Sequence, residues 1–457
     1  MDDQLGIETF KQAFRGDVIG SGDTGYDEAR SLYNGMIDKR PLLIARCTDV
    51  ADVITAVNFG RSSGLPVAVR GGGHNGPGLG SVDDGLVIDL SPMKGVRVDP
   101  EANTVRVGGG CTTGDVDHAT HAFGQAVPFG IISTTGVAGL TLSGGHGYLS
   151  RQYGLAVDNL LEADVVLADG RFVVASESKN ADLFWAIRGG GGNFGVVTSF
   201  LFRTNPAKIL YGGPIAYAIE DAEAVMRWYR DFTARKQTDF YIFLGLQGIP
   251  PVAPFPEAHW NKKMCVLLVA HNGAAGEAAV NAIRNELPKP LFDWCGPIPY
   301  TALQQMFDPF YPRGLNWYWK GDFVKTLPDD AIAAHVAHAT KANVFSAMHL
   351  YPIDGAVHTR KSGDMAWGTR DALWSMVIVG LSPDAADRTA VRDWATAYWR
   401  AVHPYDLAGA YPNFMMADEG EGRIHASFGS NYEKLARIKK TYDPTNFFRV
   451  NQNIPPA

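Results

Sequence analysis

Glycine clusters and a few histidines and tyrosines carry the chemistry this chain can do. The run RGGGHNGPG spans residues 70–78, and the strand-like LPVAVR leads into it. Glycine removes the side chain that would hold a backbone away from a large anionic ligand. His74 stands alone in that run, and an imidazole held against such a ligand can attack an electrophilic ring carbon. A second run, RGGGGNFGVV, spans 188–197. Both contain G-x-G-x-x-G, as Gly71-Gly73-Gly76 and Gly190-Gly192-Gly195, the spacing of a dinucleotide-binding loop. That loop must open a helix, with an acid about 20 residues on. Gly76 instead precedes PGLGSVDDGLVIDLSPM, a loop and then a strand. Gly195 precedes VVTSFLFRT, an alternating β-branched strand. A Rossmann domain is set aside on that ground.

Side chains able to move protons lie further on. A strand at VFSAMHLYPIDG puts His349 and Tyr351 on one face. NWYWKGDF does the same for Tyr318 and Lys320, and an ammonium beside a phenol lowers the phenol pKa. An ordinary amphipathic strand is the alternative for either pair, and the more so for Tyr318 and Lys320. His358 and Asp364 read as loop residues. Cys47, Cys111, Cys265 and Cys295 are scattered without metal spacing, which fits buried thiols in a reducing compartment.

The elements that must position these groups fall into zones. Residues 40–205 alternate strand and helix signals: strands at PLLIAR, LPVAV, GLVIDL, GVRVD and NTVRVGG, and a helix at DVADVITAVNFGRSSG closed by Gly64. TTGDVDHATHAFG reads as a helix capped by Thr113. NLLEADVVLADGRFVVAS reads as a hairpin turned at Asp169-Gly170, and NADLFWAIRGG as a short helix. Residues 208–410 hold most of the tryptophans. Strands are expected there at YIFLGLQGI, KMCVLLVAHNG, VFSAMHLYPI and LWSMVIVGL, with helices at 220–234, 329–342 and 386–401: an antiparallel sheet with helices on one side. SNYEKLARIKKTYDP is a helix with Leu435, Ile438 and Tyr442 on one stripe, stopped by Pro444. The chain of 457 residues, 46% hydrophobic, is long enough for two or three cores. Its net charge of −7 argues against nucleic acid, and no 18-residue apolar run spans a membrane. The acidic, amphipathic MDDQLGIETFKQAFRGD lacks the apolar stretch of a secretory signal, so a cytoplasmic protein is expected.

Three more segments complete the picture: GIISTTGVAGLTLSGGHGYLSRQYGLAVDNL (130–160), GGGGNFGVVTSF (189–200) and YDPTNFFRVNQNI (442–454). With the His74 loop they resemble the vanillyl-alcohol oxidase and p-cresol methylhydroxylase superfamily of FAD-linked oxidases, in its berberine-bridge-enzyme-like branch. The resemblance implies an α+β fold whose FAD-binding domain comes in two pieces, 1–207 (core 40–207) and 411–457, with a substrate domain, 208–410, inserted between them. It implies FAD held by one covalent link through His74, with Arg70, Gly71, Gly72, Gly73 and Asn75 around it. Ser133, Thr134, Gly136 and Gly139 would donate to the pyrophosphate and ribityl chain, and Gly144 and Gly145 would pass close to the isoalloxazine. Gly195 and Val197 would hold the adenine end, and Asn451 the flavin ring.

The chain also departs from that pattern. Ile132 stands where bicovalent members have a second, cysteinyl link, and Cys111 is not in that position. Leu140 replaces a common histidine. His146 replaces an aromatic residue, so it either lines the flavin or substrate pocket or packs in a glycine-rich turn. In AYPNF, Tyr411 is kept but Phe414 occupies the position of the usual tyrosine base. The base is therefore expected on the substrate-domain sheet, among His349, Tyr351, Tyr318 and Lys320, with Tyr411 lining the site. The implied activity is hydride removal from a small-molecule substrate, at a C–H beside a hydroxyl or amine, with O2 then reduced to H2O2 and no metal required. Two other readings stay open. One is a dehydrogenase that excludes O2, gated near Thr135; the other is a flavin-binding protein with lost or narrow catalysis, which Phe414 favours.

Overall fold

The computed structural model describes residues 6–235 and 237–457; residues 1–5 of the acidic N-terminal segment and Lys236 lie outside the described residues. The aliphatic runs Leu43–Arg46, Leu86–Asp89 and Val67–Arg70 are buried at nearly every position and lie parallel, with Leu86–Asp89 in the middle. Asp17–Gly20 adds an antiparallel edge. Strands apolar on both faces need cover on both faces. The helix Val50–Ser63 covers one face, packing Val53, Ala56 and Val57 on the sheet, and Tyr26 packs on Ile44 and Val87 of the other. The Asp49 side chain caps that helix by accepting the N–H groups of Ala51 and Asp52.

A second sheet is antiparallel, in the order Val96–Asp99, Thr104–Gly108, Val196–Arg203, Leu160–Val166, Phe172–Ser176. Its last two strands form the hairpin expected at Asp169-Gly170, where the Gly170 N–H donates to the Leu167 carbonyl. The helix Thr113–His121 is capped one residue earlier than the sequence suggests. Thr112 accepts the Asp115 N–H, and the Asp115 carboxylate accepts the Thr112 N–H, a reciprocal cap. Thr113 turns its hydroxyl instead to the carbonyls of Ile132 and Ser133.

The third sheet has eight antiparallel strands and runs Phe292–Asp293, Ile209–Ala218, Lys263–His271, Phe240–Gly248, Ala347–Pro352, Trp374–Ser382, Asn316–Val324, with Gly296–Pro299 also paired to Ile209–Ala218. The helices Ala222–Thr233, Gly276–Glu286, Asp329–Ala339 and Arg388–Val402 bury Val225, Val280, Ile332 and Ala395 against one face. The opposite face presents Phe243, Trp317, Tyr351 and Val377, which pack with Tyr33, Tyr148 and Tyr300. Two elements have weak sequence signals. ILYGGPIAYA carries two glycines and a proline, which oppose a strand in isolation, and its pairing with Lys263–His271 holds it. Gly276–Glu286 has only Val280 and Ile283 as buried large apolar residues.

The C-terminal segment returns to the second sheet. The helix Tyr432–Tyr442 packs Leu435 and Ile438 into the cluster of Phe184, Trp185 and Phe200. Lys439, fully buried, donates to Asp443 and to the carbonyls of Asn193 and Phe448, while Asp443 accepts the N–H groups of Phe447 and Phe448. One buried ion pair thus ties the chain end to the second glycine run. Lys439→Met strands the Asp443 carboxylate and is expected to cost about 3–5 kcal/mol, read as a lower denaturation midpoint. Stability within 1 kcal/mol of the parent, on the same scale, refutes the tie.

Candidate active site

The two glycine loops meet backbone to backbone. A Cβ on Gly72 would lie 2.4 Å from the Gly136 nitrogen, and one on Gly136 would lie 2.3 Å from the Gly72 nitrogen. Neither position has room for a side chain. Gly136 is held from behind, where it bridges Thr112 and where the Thr113 and Gly114 N–H groups donate to the carbonyls of Thr135 and Ser133. The capped helix Thr113–His121 therefore sets the depth of the 130–136 loop.

Beside this contact, His74 Nε2 lies 3.0 Å from Thr134 Oγ1. The His74 ring stacks on Tyr33, centroids 3.9 Å apart at 18°, and the Tyr33 hydroxyl is anchored on the Tyr311 carbonyl. Burial first, then the charge of Arg313, pulls the His74 pKa down to about 3. The ring is neutral and keeps a lone pair.

A cavity of about 360 Å³ lies between these loops and the third sheet. One wall is glycine-rich: Arg70, Gly71, Gly72, Gly73, Asn75, Gly136, Gly139, Gly195, Val197 and Asn451 all reach it. The other is aromatic: Trp317, Trp319, Tyr351, Tyr411 and Phe414, with His146 and His349 among them. Three of the residues on its wall carry unpartnered buried polar atoms, Arg70 Nη1, Asn451 Oδ1 and Gln452 Nε2. At Gly139 and Gly192 an added Cβ would meet nothing within 4 Å, so bare backbone forms the wall there. A glycine-walled space ringed by free donors and acceptors fits a long, polar, phosphate-bearing cofactor such as FAD.

Several expected residues do not reach this cavity. Ser133 gives its N–H and hydroxyl to the Asp308 carboxylate, which leaves no donor for a pyrophosphate. Thr134 is committed to His74. At Gly144 an added Cβ would meet Trp367 at 2.7 Å, and at Gly145 it would meet Leu140 at 2.4 Å; packing demands these glycines. Tyr318 and Lys320 do share a face, but it is the helix-covered one. Tyr318 donates to Asp418, and Lys320 pairs with Asp418 and Glu419. Burial raises the Tyr318 pKa rather than lowering it, and the bond to Asp418 adds to that, outweighing Lys320. The residues of that strand which reach the cavity are the alternate ones, Trp317 and Trp319.

His349 and Tyr351 do face the cavity, and as a bonded pair. The Tyr351 hydroxyl lies 2.7 Å from His349 Nδ1, and His349 Nε2 lies 3.0 Å from Gln247 Oε1. Gln247 Oε1 only accepts, so Nε2 carries the hydrogen and Tyr351 donates to Nδ1. Burial pulls the His349 pKa down to about 4 and pushes that of Tyr351 well up. Tyr411 accepts the Gly145 N–H at 3.1 Å and a bond from Asn413 at 2.9 Å; it clamps the 140–146 segment. Its phenol pKa is pushed up to about 12, by burial above all. Residues without a sequence signal complete the site. Asn34 joins the Gly76 carbonyl to the Trp317 backbone. Gln304 joins the Gly130 carbonyl to Asp117.

Comparison with known proteins agrees with this geometry. Residues 41–176 match the FAD binding domain model and residues 410–455 the model for berberine and berberine-like proteins. An FAD-linked oxidoreductase of Dictyostelium discoideum is 31% identical, with 98% of this chain and 97% of that one covered. The xylooligosaccharide oxidase of Thermothelomyces thermophilus is 28% identical over 96% of this chain and 92% of that one. The crystal structure of 6-hydroxy-D-nicotine oxidase from Arthrobacter nicotinovorans superimposes with a TM-score of 0.87 at 26% identity, covering 97% of this chain and 98% of that one.

Two alanines separate cradle from scaffold. Gly72→Ala must push the loops apart and is expected to lower both the thermal midpoint and the flavin content. Gly139→Ala adds its methyl in open space on a short helix, so it keeps the midpoint and loses flavin. Unfolding scans and flavin absorbance per chain check both; a Gly72→Ala protein with parental values refutes the contact.

Proposed function

The chain belongs to the FAD-linked oxidoreductases with a berberine-like C-terminal segment, and on that footing we propose that His74 is the single covalent attachment point of its FAD. The observation that carries this reading is the neutral His74 ring fixed at the seam of the two glycine loops. Thr134 and Tyr33 hold that ring, and a donor bond from Nε2 to Thr134 leaves Nδ1 as the nucleophile. Ile132 reaches the cavity and has no thiol for a second link. Bound FAD supplies the two-electron acceptor for a hydride from a C–H beside a hydroxyl or amine.

The chain's own residues do the rest. Tyr351 donates its hydrogen to His349, which leaves a lone pair on the phenol oxygen for the substrate's O–H or N–H. As it takes that proton, Tyr351 passes its own hydrogen to His349 Nδ1 through the 2.7 Å bond, so the charge comes to rest on the imidazole and not on a buried phenolate. Gln247 fixes the tautomer that makes this direction possible. Phe414 contributes shape only, and Tyr411 positions the loop. The aromatic wall excludes water from the reacting atoms. The oligosaccharide and hydroxynicotine oxidases among its relatives support a small ring-bearing alcohol or amine as substrate and O2 as final acceptor. Thr135, on the cavity wall, is then compatible with O2 access. The free cysteines support a reducing compartment such as the cytoplasm.

Acid precipitation is expected to leave the flavin on the chain and to release it from His74→Ala. Complete release from the parent protein refutes the attachment.

Anaerobic flavin reduction tests the proton path. Tyr351→Phe and His349→Ala are expected to slow the reductive step by about 10²–10⁴ with FAD content unchanged. Tyr318→Phe, on the far face of the sheet, leaves it near the parental rate. If Tyr411→Phe alone slows reduction, the base lies on the C-terminal segment instead.

A further inference from the structure

His146 is the one cavity histidine with nothing to do. His74 is bonded to Thr134, and His349 to Tyr351 and Gln247. Both nitrogens of His146 are buried without a hydrogen-bond partner, although the residue is only 7% exposed and lies on the cavity wall. Buried polar groups nearly always find partners, so an unpaired imidazole on the wall of a cavity points to a ligand.

Its surroundings say which ligand. The ring of His146 sits 5.2 Å from Tyr351, 4.8 Å from Tyr411 and 5.7 Å from Phe414, centroid to centroid. These three residues belong to the aromatic wall. Among the residues lining the cavity, the sole formal charge is Arg70, paired with Asp89 at 2.8 Å beside the glycine loops. No ammonium or carboxylate faces the aromatic end, and an unpaired charge placed there would lose its hydration with no compensation.

We propose that His146 recognises the substrate, accepting a hydrogen bond from its hydroxyl or N–H, and that the substrate is an uncharged ring compound bearing that donor. The inference rests on the oxidoreductase reading, which makes the aromatic wall the substrate side. Burial holds the His146 pKa down to about 3, so the ring is neutral and one nitrogen always offers a lone pair. The two rings then divide the work: His146 binds a donor apart from the reacting group, and the neighbouring Tyr351–His349 pair takes the proton of the reacting hydroxyl or amine. Phe414, set edge-on to His146 at 77°, supplies an apolar flank that offers the donor no competing partner.

The test measures binding to the purified holoprotein by ligand-observed NMR, with phenol, toluene and benzoate as probes and flavin absorbance recorded on each preparation. Phenol is expected to bind about fivefold to tenfold more tightly than toluene, the worth of one net hydrogen bond, and benzoate more weakly than either. His146→Phe brings phenol down to the level of toluene and leaves toluene within twofold. His146→Gln, which keeps an acceptor and a donor, retains most of the phenol preference. The proposal is overturned if His146→Phe keeps that preference, or if benzoate binds as tightly as phenol. It is also overturned if His146→Phe loses FAD while His146→Gln retains it, because His146 then serves the cofactor. A parent protein that carries no FAD at all sinks the oxidoreductase reading, an outcome the absorbance separates from the binding results.

Discussion

Everything at this site hangs on two backbones that touch. The Gly72–Gly136 contact admits no side chain on either loop, and it fixes the distance between segments that lie far apart in sequence. Because the loops meet there, Thr134 lies within hydrogen-bonding distance of His74 and the Tyr33 ring lies flat on the imidazole. The reciprocal cap at Thr112 and Asp115 anchors the far side, so a local helix-capping interaction is transmitted into the position of His74. The buried Lys439–Asp443 pair plays the same part at the other glycine run, where Lys439 also binds the Asn193 carbonyl. Buried, fully engaged groups outside the cavity hold the walls of the cradle in place.

The opposite wall follows a different rule. On an antiparallel sheet the side chains alternate, and a helix layer takes one face. The other face is then free to build a site from whichever residues fall on it. In Ala347–Pro352 these are His349 and Tyr351; in Asn316–Val324 they are Trp317 and Trp319. Cross-strand pairing brings Gly245 opposite His349, and Gln247, two residues on, turns toward the same imidazole. A relay of three side chains thus arises from register alone.

The glycine loops and the family were legible in the sequence because their constraint is local: glycine runs of fixed order, a lone histidine, an Asn-Gln-Asn ending. The phase of the strand Asn316–Val324 was not. NWYWKGDF carries aromatic side chains on both faces, so alternation shows which residues share a side but not which side meets the helices. The ion pairs of Lys320 with Asp418 and Glu419, about 100 positions away, decide it. The same holds for Ser133. A serine in a glycine-rich loop reads as a ligand donor until Asp308, 175 positions away, takes both its hydrogens. Tyr411 was recognisable from its motif, yet its clamp on Gly145 depends on a contact across 266 residues. Long-range partners assign roles that residue type alone leaves open.

Electrostatics give the site its chemical character. The acids nearest the cradle are already spent: Asp89 on Arg70, and Asp308 on Ser133. The three cavity histidines are all held neutral, chiefly by burial, with pKa values of about 3, 3 and 4. A site with no standing charge on its aromatic side cannot attract an ionic substrate, and it stabilises none of the ionised forms of its own tyrosines. Any charge produced there must appear and be passed on within one step. In the proposed proton path the short bond from Tyr351 to His349 does this, since Tyr351 passes its own proton to the imidazole as it takes another. Phenylalanine at 414 then has a physical logic. A tyrosine there would bring a third phenol beside His146, after Tyr351 and Tyr411, and compete for its lone pair; the apolar ring keeps that acceptor free.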